Sequence, residues 1–175
     1  MLDRLPEYID PLHLAEKRGA LEGRIPLSKF QRLADSLCNN EGYVEVSLFF
    51  GREGKLAKID GHIKSIIELQ CQNCLNAVEW VVDNRVKLGI VTSIDGANRL
   101  PEDYDPLLVE ADGKVLLKDI IEDELILILP TFPKHQHDCL AEIGIPGKTD
   151  LPSDSHSERE NPFAILAKLK NTGDL

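Results

Sequence analysis

The chain has 175 residues and a net charge of −10, from 20 Lys and Arg against 30 Asp and Glu. Hydrophobic residues make up 42% and charged residues 29%, the balance of a globular domain with a real core. No apolar run nears the ~20 residues of a membrane span, the N-terminus lacks the pattern of a signal peptide, and four irregularly spaced cysteines do not make a secreted disulfide framework, so a cytoplasmic protein is expected.

The charge is unevenly spread. Residues 1–90 carry 12 basic and 13 acidic side chains, and residues 91–175 carry 8 and 17. The acidic half should repel a phosphate backbone and attract a basic protein. The near-neutral half can still hold a local basic face.

"IPLSKFQRLADSLC" reads as a helix over 25–38. Ser28 and Gln31 fit an S-x-x-Q capping box, and Leu27, Phe30, Leu33, Ala34 and Leu37 recur at helical spacing. Lys29 and Arg32 then share a second face. With Lys17, Arg18 and Arg24 they form the densest basic group of the chain, a candidate RNA-binding set; the plainer reading is a solvated charged face. Cys38 ends the apolar stripe and is expected to be buried.

"GYVEVSLFFGREGKLAKIDGHIKSIIELQ" alternates as half-buried strands do, with Val44, Val46, Leu48 and Phe50 on one face and "GREGK" as a turn. Gly61 suggests a bend or bulge. "NAVEWVVDNRVKLGIVTS" alternates again through Val78, Trp80 and Val82. No crossover helix lies between these strands, so they should pair antiparallel. The spacing predicts an α+β domain with an antiparallel sheet that could curl toward a barrel, and a few short helices.

"LQCQNCL" sets Cys71 and Cys74 at the connection between two long strands. A redox pair should open a helix after a strand in a βαβ unit, and that context is missing. Zinc and plain packed thiols remain.

"IDGANRLPEDYDP" is an acidic, turn-rich loop. "GKVLLKDIIEDELILILP" returns to helical spacing through Leu117, Ile120, Ile121, Leu125 and Ile128, and Pro130 should end that helix. Glu122, Asp123 and Glu124 read as its wet face. The expected domain covers 1–146, a polar linker 147–160, and a short C-terminal helix with its tail 161–175, with Asn161 as N-cap and Pro162 at the first helical position. Phe163, Ile165, Leu166 and Leu169 would form an apolar face on a tether, suited to a partner's groove or to docking on its own domain. Among these patterns are no nucleophile elbow and no H-E-x-x-H motif, so a non-enzymatic role is expected.

Several segments in order, "IDPLHLAEK", "LQCQNCL", "LPEDYDPLLVE", "IIEDELILILPTFPKH" and "NPFAILAKLK", resemble the YceD family of large ribosomal RNA subunit accumulation proteins. The resemblance implies a bacterial factor in large-subunit biogenesis that supports synthesis, processing or stability of 23S ribosomal RNA, with that RNA or a pre-ribosomal particle as partner. The alternative is an acidic chaperone or adaptor for a basic ribosomal protein. It also implies cysteines just after the Leu-Pro that ends the acidic helix. Here that place reads "LPTFPKHQHDCL", a departure from an all-cysteine set that offers His135, His137 and Cys139. Cys71, Cys74, His135 and Cys139 can thus be written as a structural zinc tetrad. The other expectation is packed thiols and no cofactor.

Overall fold

The computed structural model describes residues 5–110, 113–142 and 144. Strand β1 (Tyr8–Ile9) leads into helix α1 (Pro11–Lys17). The Asp10 carboxylate caps α1 by accepting from the His13 N–H at 2.9 Å. Pro11 takes the first helical position, where a missing N–H costs nothing. Strand β2 (Ala20–Pro26) follows, then a 3-10 turn (Leu27–Lys29) and helix α2 (Gln31–Ala34). The long strands are β3 (Tyr43–Glu53), β4 (Leu56–Gln70) and β5 (Ala77–Val91). After them come helix α3 (Ile94–Ala97), strands β6 (Asp105–Leu108) and β7 (Val115–Leu116), and helix α4 (Leu117–Leu127). The chain divides at Gln136, and the second unit contributes one described helical turn, α5 (Cys139–Glu142).

The expected α+β class holds. Five strands pair in the order β2-β3-β4-β5-β6, and β1 pairs with β7 apart from them. The sheet is open, with β2 and β6 at its edges, and does not close into a barrel. All its pairs are antiparallel except β5 with β6, where Leu88 lies opposite Asp105 and Val91 opposite Leu108. A parallel neighbour needs a crossover, and residues 92–104, including α3, supply it.

Sequence alternation becomes two sheet faces. Val44, Val46, Leu48 and Phe50 of β3 are buried, as are Ile59, Ile63 and Ile67 of β4 and Val82, Val86 and Leu88 of β5. Gly54, at φ +59°, makes the two-residue turn between β3 and β4 that "GREGK" suggested. Gly61 is neither bend nor bulge: it pairs with Leu48 on one side and Val86 on the other in unbroken register. A Cβ there would lie 2.5 Å from the Ser47 carbonyl oxygen and 2.6 Å from Leu48 Cδ2, so glycine permits a close approach.

Three further expectations need correction. The helix over 25–38 is instead two short pieces, broken where Phe30 takes an extended conformation (φ −93°, ψ 97°), and the Ser28 capping box does not form. Leu27, Phe30 and Leu33 are nonetheless buried, because burying these side chains outweighs continuing the helix. Cys38 is exposed, since the helix stops at Ala34 and the chain then runs beside β4, with Cys38 N–H donating to the Glu68 carbonyl at 2.8 Å. The acidic face of α4 is not uniformly wet. Glu122 is 2% exposed and Glu124 8%, beside buried Leu117, Ile120, Ile121 and Leu125. Glu124 falls at i+3 from Ile121 and so lies within the apolar stripe. The linker 147–160 and the terminal segment with Phe163, Ile165, Leu166 and Leu169 lie outside the described residues.

Candidate functional site

Cys71 and Cys74 sit in a tight turn at the tip of the β4–β5 hairpin. Cys71 N–H donates to the Asn76 carbonyl at 2.9 Å, and Leu75 N–H closes the loop onto the Cys71 carbonyl at 2.9 Å. Leu75 is held at φ +63°, a left-handed conformation unusual for a branched apolar residue. Gln72 N–H donates to the Pro133 carbonyl at 2.9 Å, which brings the segment after α4 alongside the turn.

That link positions His135. Its Nδ1 lies 3.5 Å from Cys74 Sγ, and its Nε2 lies 3.1 Å from the Ala77 carbonyl oxygen. A carbonyl only accepts, so in the neutral ring Nε2 carries the proton and the Nδ1 lone pair faces the sulfur. One ligand atom from each of Cys71, Cys74 and His135 lies within 4.8 Å of the others, and Cys139, the fourth member of the predicted set, belongs to the second unit. Burial pushes the Cys71 thiol up, but hydrogen bonds from the backbone N–H groups of Cys74, His135 and Asn73 and from the Cys74 thiol bring it down to about 5. Such a group is suited to hold thiolate sulfur, the form that ligates metal.

The basic candidates are not all brought into one cleft. Arg24 and Lys29 line a cleft of about 700 Å³, together with Ser28, Gln31, Lys118 and Glu7. Arg24 also pairs with Glu45 at 2.6 Å and lies over the Tyr43 ring at 4.2 Å from its centre. Lys17 and Arg18 are exposed at the end of α1 and do not line this cleft. Arg32 is committed to α4: its guanidinium reaches Asp123 at 2.6 Å and Glu122 at 3.2 Å.

Sequence reasoning missed Lys118 as a cleft residue, because nothing in local spacing links the start of α4 to residues 24–31. It also missed Glu122 as an internal cap of α2. The signal available was a carboxylate beside the apolar stripe of α4, but its partner is distant in sequence.

Residues 59–170 match the family described as "Large ribosomal RNA subunit accumulation protein YceD". Over 168 residues the chain is 30% identical to the protein of that name from Haemophilus influenzae, covering 95% of this chain and 97% of that one. The family match includes Cys71, Cys74, Lys118, His135 and Cys139, and begins after Lys17, Arg18, Arg24, Lys29 and Arg32. No solved structure matches the chain.

Proposed function

The chain belongs to the YceD family of large ribosomal RNA subunit accumulation proteins, and from that premise we propose that it is a non-catalytic cytoplasmic factor in large-subunit biogenesis. It supports synthesis, processing or stability of 23S ribosomal RNA by binding that RNA or a pre-ribosomal particle. The observation that carries the role is the relative's printed name, joined to a match over 95% of this chain and 97% of the relative. A binding role is supported by the cleft lined by Arg24, Lys29 and Lys118, where three cations face one carboxylate, Glu7. Cations in such a cleft hold phosphates in position without reading sequence.

A second reading has its own support. Residues 91–175 carry 8 basic and 17 acidic side chains, a field that attracts a basic ribosomal protein. Both roles predict that deleting the gene lowers 23S RNA relative to the small-subunit RNA, and unchanged ratios and subunit profiles at slow and fast growth would refute them. Binding measurements separate the two. RNA binding weakens steeply with salt and maps to the cleft, whereas capture of a basic protein maps to the acidic segments.

A further inference from the structure

We propose that the outer face of the sheet, over β2 to β5, is the interface of a symmetric dimer between two copies of this chain. The inner face carries the core, and the side chains that alternate with it point away from that core. Strand register gathers them into rows that run across the strands. In the first row Pro26 lies opposite Tyr43, and Ile66 opposite Val81. Tyr43, Ile66 and Val81 line one groove of about 410 Å³ and are 44%, 60% and 70% exposed. A contiguous apolar row of this kind marks an interaction surface, unlike single scattered apolar residues.

The second row is Arg24, Glu45, Lys64 and Asp83, each opposite the next across the strands. Its charges alternate in sign, with Arg24 2.6 Å from Glu45 and Lys64 3.3 Å from Asp83. The third row is Glu22, Ser47, His62 and Arg85 in the same register. Farther along the strands the crossover after β5 covers this face. Tyr104 lies beside Lys87, and a Cβ on Gly89 would meet Leu100 Cδ2 at 2.6 Å.

Charge complementarity names the occupant. Read backwards, the row Arg24, Glu45, Lys64, Asp83 has the opposite sign at every position. A two-fold axis along the strands, between β3 and β4, performs that reversal: it sets β3 over β4 of the second copy and β2 over its β5. Arg24 then faces Asp83, and Glu45 faces Lys64. The same operation sets Glu22 over Arg85, Ser47 over His62, and Tyr43 over Ile66. One operator thus matches all three rows, and the roughly −30° crossing of aligned sheets keeps this register near the axis. Arg24, Lys64 and Arg85 balance Glu22, Glu45 and Asp83, so the face offers a phosphate backbone or a basic protein no net attraction. Three rows on four strands span about 19 Å by about 20 Å. That is less than the ~800 Å² per partner of a standard interface, so the dimer is weak and reversible.

The inference stands apart from the RNA reading, and its test uses the purified full-length chain without nucleic acid, in reductant because Cys38 is exposed. Sedimentation velocity should show a monomer–dimer equilibrium with a midpoint on the order of 10–100 µM. Val81→Lys, at a position 70% exposed, should keep the thermal unfolding curve and move the midpoint at least about tenfold higher, since the two-fold axis counts the change twice. Glu45→Lys alone and Lys64→Glu alone should each be monomeric, because like charges then face each other. An equimolar mixture of those two chains should dimerise again, because each new charge meets its opposite. If either charge variant does not fold, Val81→Lys still decides. A wild-type chain that is monomeric at about 500 µM, well above that midpoint, a dimer indifferent to Val81→Lys, or two folded charge variants that stay monomeric when mixed overturns the proposal.

Discussion

Glu122 accepts the backbone N–H of Arg32 at 2.7 Å, although 90 residues separate the two in sequence. The same carboxylate accepts Leu33 N–H at 3.0 Å and Arg32 Nε at 3.2 Å. A side chain of α4 therefore caps α2, satisfying donors that a helix start leaves open. Leu33 is fully buried, so its N–H has no water to turn to.

Glu122→Ala should cost about 2–4 kcal/mol, from a lost cap and a buried unsatisfied N–H. Arg32→Ala should cost under about 1 kcal/mol, because its side chain is half exposed and such pairs are weak. Urea unfolding of both variants checks the order. Equal costs would mean that the guanidinium, and not the backbone cap, dominates.

The paired reversal Lys29→Glu with Lys118→Glu tests the cleft without disturbing Arg32. It should weaken binding to pre-ribosomal RNA irrespective of sequence and lower the slope of log affinity against log salt by roughly 1–2, as expected for losing up to two phosphate contacts. Thermal unfolding should be nearly unchanged, since Lys29 is exposed and Lys118, among the described residues, approaches Asp119 at 4.0 Å. Unchanged RNA affinity with the fold intact removes the cleft from the binding surface.

Burial raises the Glu124 carboxyl above its ordinary value, and the negative charges of Asp105 and Asp123 raise it further. The fold therefore favours the neutral acid. Its stabilising contribution is whole below the ordinary carboxylate pKa and is lost as pH rises through the folded value. Glu124→Gln should then gain about 1 kcal/mol at neutral pH, where the native side chain is a poorly solvated charge. The gain should vanish near about pH 4, where both chains carry a neutral group. Unfolding free energies at the two pH values check this, and a gain independent of pH would assign the effect to packing.

Truncation after Glu160 removes Phe163, Ile165, Leu166 and Leu169. The expected result is a nearly unchanged melting temperature with failure to restore 23S RNA in a deletion strain, the outcome for an apolar segment that meets a partner. A fall of more than about 4 °C, over ~1 kcal/mol for a chain of this length, would assign the segment to the core.

Local signals reached furthest where structure has a short period. Alternation in 43–50 and 78–82 identified the core-facing sides of β3 and β5, because every second side chain of a strand faces the same way. The C-x-x-C turn was legible for the same reason, as a contact between near neighbours. His135 and Cys139 could be named as companions of Cys71 and Cys74 from residue chemistry, but only tertiary structure set His135 Nδ1 toward Cys74 and its Nε2 on Ala77. The break at Phe30, the burial of Glu122 and the lining of one cleft by Arg24, Lys29 and Lys118 had no local signature. Each depends on α4 meeting residues some ninety positions earlier. Long-range packing overrode helix propensity at Phe30, and paired donors stabilised a buried carboxylate that the sequence alone assigns to water.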